Sequence, residues 1–123
     1  MKINFVTDST TDVPQEFVER YNSSVVPTIL VFEGKEYRDG VDITRAEFYQ
    51  RLPSLRPLPT TAAPASGDFE SIYDSLEGAI ISLHTAVSFT AVYTSAHIAS
   101  EKFAGRVTVI DSGSLSLGAG WQV

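Results

Sequence analysis

The chain has 123 residues, a net charge of −6 and no cysteine. The acidic balance argues against nucleic acid as a partner, because that binding relies on clustered Lys and Arg. The lack of cysteine excludes disulfides and thiolate metal sites. With no apolar run near the roughly 20 residues of a membrane span and no signal-peptide pattern, we expect one globular, cytoplasmic domain without stable membrane insertion.

The first predicted strand, about Lys2–Thr7, breaks abruptly into the hydroxyls and carboxylates of Asp8–Asp12. A helix is predicted to follow at Pro14–Tyr21. Ligands of α/β proteins bind at the carboxyl ends of strands, and the free amides at a helix start favour an anionic oxygen group such as a carboxylate or phosphate. Ser9 is therefore a candidate ligand-binding residue. The alternative is that Thr11 or Asp12 only caps the helix.

Further along the chain, predicted strands and helices alternate with short connections. The other strands are predicted at Val25–Phe32, with Pro27 at its start or at a sheet edge, and at Glu36–Arg38, Ala79–His84 and Arg106–Ile110. The other helices are predicted from the capping box of Thr44 and Glu47 to before Pro53, around Phe69–Leu76, and at Phe89–Phe103, the longest. This order predicts an α/β fold in one domain, with a largely parallel central sheet flanked by helices.

Two segments stand apart from this alternation. Leu52–Ser66 carries four prolines and is long enough to be a functional loop. Leu115–Val123 resembles the start of another helix and carries no stop signal, so we expect the chain to be cut relative to a natural domain.

Six short motifs then occur in the order found in one bacterial protein family. They are TDSTTDVP at 7–14, PTILVFEGKEYRDGVDI at 27–43, ITRAEFY at 43–49, TAAPASGDF at 61–69, YTSA at 93–96 and VIDSGSLSLGAG at 109–120. On these motifs the chain resembles the N-terminal half of a DegV-family protein, the bacterial fatty-acid-binding proteins. Members of that family are about twice as long, with a second domain that this chain lacks.

The resemblance implies a lipid carrier and not an enzyme, with a long-chain fatty acid as ligand and no cofactor. Such proteins hold the acyl chain between two domains and present its carboxylate to a partner fatty acid kinase. The head-group threonine of the family falls on Thr61. The serine-rich turn before the long helix departs from the family pattern: the usual Ser-Gly-Thr-Tyr is replaced by Thr90–Tyr93, and the serine pair upstream by Ala86 and Val87. Thr90 keeps one hydroxyl of that pattern. Neither His84 nor His97 lies at the position of the family's head-group histidine, which belongs to the second domain.

Phe89 and Tyr93 are core positions by default and, as an alternative, lining of an acyl tunnel. Burying about 14 methylenes at about 0.8 kcal/mol each contributes on the order of 11 kcal/mol before ordering costs. A hydrogen bond to a carboxylate contributes about 1.5–3 kcal/mol. The tail is thus expected to dominate affinity, while Thr61 and its neighbours fix orientation.

Two functions of other classes stay open. Asp8 and Asp111 fall at strand ends, where a divalent ion and the Ser9–Thr11 cradle would suit a phosphoryl-transfer enzyme or hydrolase. Against that stand the lack of a glycine-rich loop and of a plausible general base. A ligand-free interaction module is the other alternative, because a half-protein with an exposed apolar wall tends to self-associate.

Each of these residues also has an alternative, purely structural role. Thr60 and Thr61 would be ordinary turn residues, and Asp39 and Asp42 would only shape a turn. His84 would be a hydrogen-bonded structural side chain. If a shared site exists, Asp8, Ser9, Thr61 and Asp111 should lie at one edge of a single sheet.

Overall fold

A computed structural model describes all 123 residues. Its central sheet is parallel and consists of Ile3–Asp8 (β1), Ser24–Val26 (β2), Ala79–His84 (β6) and Val107–Asp111 (β7). The order of these strands in the sheet is β2-β1-β6-β7. In register, Val6 lies opposite Ser24 on one side and Ser82 on the other, and His84 lies opposite Asp111. The predicted α/β fold with a largely parallel sheet in one domain is therefore confirmed.

A second, antiparallel sheet was not predicted. It has the order β4-β3-β5, with β3 at Ile29–Phe32, β4 at Lys35–Arg38 and β5 at Thr60–Ala62. Glu33 and Gly34, both with positive φ, make the tight turn between β3 and β4. Strand β5 lies inside the proline-rich segment that was expected to be irregular.

The prediction of a single strand at Val25–Phe32 is wrong, because the structure has two strands there, β2 and β3. Pro27 has no backbone N–H to continue a ladder, and the Thr28 N–H donates to the Ser9 hydroxyl (3.0 Å) instead of to a strand. The chain therefore leaves the parallel sheet after Val26 and enters the second sheet at Ile29.

Four α-helices lie between these strands, and a fifth follows the last strand. They span Gln15–Arg20 (α1), Arg45–Arg51 (α2), Ser66–Ser75 (α3), Val92–Ser100 (α4) and Leu117–Gly120 (α5). The capping box of Thr44 and Glu47 is present at the start of α2, as predicted. None of the helices has the length and apolar character that crossing a membrane requires.

Helix α4 starts three residues later than the predicted Phe89. The Phe89 N–H closes a turn on the Ala86 carbonyl (2.9 Å), and the Thr90 hydroxyl accepts from the Val92 N–H (3.3 Å), which makes residues 86–91 a turn and not a helix. At the other end, a 3-10 turn at Glu101–Phe103 completes the predicted length.

One face of the parallel sheet carries the main core. It packs against α3 and α4, and its largest fully buried members are Phe69, Tyr73 and Ile80. On α4, Val92, Ala96 and Ala99 face this core. A smaller cluster of Phe32, Ile43 and Leu55 holds the second sheet against α2. The loops at the carboxyl end of the sheet are not part of this core, and they are available to form a site.

Candidate functional site

Three polar loops meet at the carboxyl end of the parallel sheet, where β1, β6 and β7 end. The Thr10 hydroxyl after β1 lies 2.8 Å from the Thr85 hydroxyl after β6. The Ala86 N–H donates to the Ser114 carbonyl in the loop after β7 (2.8 Å). The loops after β1, β6 and β7 thus converge at the carboxyl ends of the strands, which is where open α/β sheets bind their ligands.

The last motif of the chain docks on the first. The Ser116 N–H donates to the Thr10 carbonyl (3.1 Å), and the Ser116 hydroxyl donates to Asp12 (2.5 Å). Ser116 has a φ of 48°, uncommon for a residue with a side chain, and these two bonds hold it there. The TDSTTDVP and VIDSGSLSLGAG motifs are therefore parts of one structure.

Asp8 lies at the centre of this end and is fully buried. One of its oxygens accepts from the Thr10 N–H (3.0 Å) and from the Thr10 hydroxyl, and the other lies 2.8 Å from His84 Nδ1. Burial alone would raise the pKa of this carboxyl, but the hydrogen bonds from His84 and Thr10 outweigh it and hold the pKa below its ordinary value. Asp8 is thus an ionised acceptor inside the protein.

The contacts continue from His84 into the core. His84 Nε2 lies 2.6 Å from the Ser82 hydroxyl, which lies 2.7 Å from the Tyr73 hydroxyl. Tyr73, Ser82, His84 and Asp8 form a buried hydrogen-bond chain in which every side chain is inaccessible to solvent. The structural interpretation of His84 as a hydrogen-bonded buried residue agrees with this geometry.

Burial raises the pKa of Tyr73 to about 12 from its ordinary 10.0, and its hydrogen bond with Ser82 lowers that pKa by a smaller amount. Because the unfolded chain ionises this phenol first, its contribution to stability is complete below pH 10.0 and is lost as the pH rises towards about 12. Tyr73→Phe should therefore flatten the alkaline loss of stability, measured as the urea midpoint at pH values of about 9 and about 11. Tyr21→Phe, at an exposed tyrosine, is the control; equal slopes in the wild type and Tyr73→Phe would contradict the assignment.

Two predicted ligand residues, Ser9 and Thr61, do not share one sheet edge. Ser9 follows β1 but is buried, and its oxygen accepts from the Thr28 N–H. Thr61 lies on β5 of the second sheet, opposite Leu30, and not on the parallel sheet as expected. Thr61 is exposed, and its hydroxyl makes no hydrogen bond to the protein. Only the Thr61 side chain of the two is therefore open to a ligand.

The remaining predicted residues surround the start of α4. Thr90 is half-buried and its oxygen accepts from Val92, so its O–H remains available as a donor. Phe89 is 64% exposed and is not a core side chain. Tyr93 is half-buried and stacks on His97 with ring centroids 5.9 Å apart. An exposed Phe89 beside a free hydroxyl is an arrangement suited to an amphiphilic ligand.

The two carboxylates of the hydrolase alternative do not form a metal site. Both Asp8 oxygens are taken up by hydrogen bonds, whereas Asp111 is exposed and accepts from the Gly113 N–H (2.9 Å). No group of three or more His, Asp or Glu side chains is arranged to hold a metal ion. The geometry gives this alternative no support.

A cavity that sequence reasoning missed lies beside the β1 turn. It has a volume of about 630 Å³ and is bounded by Pro14, Gly40 and Arg45, among others. The Arg45 guanidinium donates to the Ser9 carbonyl (2.8 Å) and to Asp39 (3.4 Å), and it also pairs with Asp12. Nothing in the sequence singles out Arg45 except its place in the ITRAEFY motif.

Comparisons with known proteins agree with this arrangement. A family model for uncharacterised proteins of the DegV family matches residues 2–123. A DegV domain-containing protein of Staphylococcus aureus is 41% identical over 121 residues, which are 96% of this chain and 43% of the relative. The chain therefore spans less than half the length of that curated relative. A DegV domain-containing 15.5 kDa protein of the same species is 36% identical, and the match covers 86% of its length.

Among solved structures, a protein from Thermus thermophilus is similar over 98% of this chain and 44% of its own length. It shares 37% sequence identity with a TM-score of 0.88, and it is described as a DegV family protein that binds fatty acid.

Proposed function

This chain belongs to the DegV family, and from that premise we propose that it is the head-group half of a fatty-acid-binding protein. In this proposal the hydroxyls of Thr61 and Thr90 hold the carboxylate of a long-chain fatty acid. The acyl chain then runs over the surface that carries Phe89 and Tyr93. A second domain, corresponding to the remaining length of the longer relatives, covers the tail.

The observation that carries the proposal is the availability of Thr61. The hydroxyls of Thr10 and Thr85 are committed to protein partners, whereas the Thr61 hydroxyl is exposed and has none. All three residues of β5 are exposed, which leaves this strand open to a ligand or to another domain. The fatty-acid-binding description of the Thermus thermophilus relative supports the choice of ligand.

The finer part of the proposal concerns a partner. A carboxylate held by short hydroxyl side chains at the rim of a domain is accessible to a second protein, whereas a buried tail is not. We therefore extend the proposal to presentation of the carboxylate to a fatty acid kinase, with this chain as the non-catalytic carrier.

Thr61→Ala is expected to reduce carboxylate phosphorylation while the bound acyl chain is retained. One hydrogen bond to a carboxylate contributes about 1.5–3 kcal/mol, whereas a tail of about 14 methylenes contributes on the order of 11 kcal/mol. The protein for this measurement is a fusion of residues 1–123 to the part of the Thermus thermophilus protein that follows its matched segment. Phosphorylation is followed with a fatty acid kinase, and retention is measured by extraction and mass spectrometry.

The matched control is Thr60→Ala, which removes a hydroxyl from the neighbouring exposed position of the same strand. Because successive side chains of a strand point to opposite faces, Thr60 and Thr61 cannot both face the head group. Release of the whole acyl chain by Thr61→Ala would refute the division between tail and head group. Equal effects of the two substitutions on phosphorylation would refute the assignment to Thr61.

A further inference from the structure

The buried hydrogen-bond chain ends in the Asp8 carboxylate, which also contacts two of the three loops of the candidate site, those after β1 and β6. Asp8 Oδ1 accepts from the Thr10 N–H and hydroxyl in the turn after β1. Asp8 Oδ2 accepts from His84 and lies 3.4 Å from the Thr85 N–H, at the start of the segment that leads to Thr90. Asp8 therefore touches the turn that carries Ser9 and the segment that carries Thr90.

The direction of each bond follows from the donors and acceptors. An ionised carboxylate only accepts, so His84 Nδ1 carries a proton and donates to Asp8. Tyr73 lies within hydrogen-bond distance of Ser82 alone, so its O–H donates to the Ser82 oxygen. The Ser82 O–H is then free to donate to His84 Nε2, which must be unprotonated. In this arrangement every proton from Tyr73 to Asp8 has an acceptor.

The same reasoning applies on the other side of Asp8. The Thr10 O–H donates to Asp8, so the Thr10 oxygen accepts from the Thr85 O–H at 2.8 Å. The hydroxyls of Thr85 and Thr10 on one side, and the chain from Tyr73 through Ser82 and His84 on the other, thus both donate towards one buried carboxylate. Such bonds to a charged acceptor are stronger and shorter than neutral ones.

We propose that Asp8, oriented by His84, is a positioning residue that fixes the two loops bearing Ser9 and Thr90 before a ligand arrives. The identity of the ligand that these loops hold rests on the proposed function. That Asp8 fixes the loops does not depend on it. A loop held by a buried carboxylate loses little conformational entropy on binding, which is how a supporting layer of residues improves a site.

The first test needs no substitution. Nitrogen-15 NMR of the uniformly labelled 123-residue chain distinguishes the two neutral tautomers of His84 from each other and from the doubly protonated ring. We expect a proton on Nδ1 and none on Nε2. A neutral ring with its proton on Nε2, or a doubly protonated ring, at neutral pH would overturn the proposal.

The second test uses two substitutions that each keep one half of the imidazole. The side-chain nitrogen of His84→Asn takes the place of Nδ1 and preserves the donor to Asp8. The side-chain amide of His84→Gln reaches the place of Nε2 and loses that donor. Amide hydrogen exchange is measured at Thr10 and Thr85 and divided by exchange at Ile80 in the core, so that a loss of global stability cancels.

Losing a hydrogen bond to a buried group costs about 1–3 kcal/mol, so His84→Gln should speed exchange at Thr10 and Thr85 at least about fivefold beyond the core. His84→Asn should leave the ratio within about twofold of the wild type. Equal ratios in the two variants would overturn the proposal. Neither test involves a fatty acid, so failure here is distinct from failure of the proposed function.

Discussion

His84→Leu should lower the free energy of unfolding by about 3 kcal/mol, because it leaves a buried, ionised carboxylate without its hydrogen-bond donor from the core. Leucine fills a similar volume, so little of the loss comes from a cavity. The substitution removes the only side chain that supports Asp8 from the core, and it also leaves the Ser82 hydroxyl without its acceptor. Urea unfolding followed by circular dichroism at neutral pH measures the effect.

The pH dependence of this loss is a more specific signature. Because the folded-state pKa of Asp8 lies below its ordinary value of 3.8, the stability it contributes is present above 3.8 and is lost as the pH falls through the folded-state value. The difference in the free energy of unfolding between the wild type and His84→Leu should therefore become smaller as the pH falls into this acidic range. His97→Leu, at an exposed position on α4, is the control and should stay within about 0.5 kcal/mol of the wild type. A similar loss in both variants would contradict the role given to His84.

The 123-residue chain is also expected to self-associate and to bind free fatty acid weakly or not at all. We infer that the Leu52–Ser66 segment and the α4 region face the acyl chain and the second domain. Large apolar side chains are exposed there: Leu58 at 66%, Phe89 at 64% and Ile98 at 50%. Monomeric proteins rarely leave contiguous apolar patches uncovered, and the net charge of −6 favours solubility of the associated form. Sedimentation velocity at several concentrations, together with an oleate titration, measures both properties.

Two substitutions of equally exposed aromatic residues show whether this surface is responsible. Phe89→Ser should shift the chain towards monomer, whereas Tyr49→Ser, at a 62% exposed residue on α2, should not. A clean monomer that binds oleate at submicromolar concentration would show that this half is a complete binding unit. Dissociation by Tyr49→Ser alone would place the contact on α2.

Much of the fold could be predicted because its signals are local. Strand β6 at Ala79–His84 has the predicted bounds, since a short apolar run between Gly78 and a polar turn has few other interpretations. The capping box of Thr44 and Glu47 identified the start of α2 for the same reason. Bonds between residues adjacent in sequence leave a trace in the sequence itself.

The errors come from bonds that join distant parts of the chain. Val25–Phe32 is predicted as one strand because the local sequence pattern carries no sign of the hydrogen bond from the Thr28 N–H to Ser9, 19 residues away. Strand β5 exists only because it pairs with β3, and its sequence of Thr60, Thr61 and Ala62 is too short to predict a strand. The site at the carboxyl end of the sheet was expected from Asp8 and Ser9, but its support by Ser82 and Tyr73 depends on packing against α3.

The most direct test of fatty acid binding is the fatty acid content of the fusion between residues 1–123 and the remaining part of the Thermus thermophilus relative. Native mass spectrometry of the freshly purified fusion should show a retained acyl mass, and the intact Thermus thermophilus protein, purified in the same way, is the positive control. A folded fusion without fatty acid, beside a control that retains it, would show that this chain does not supply the head-group half of a fatty-acid-binding protein.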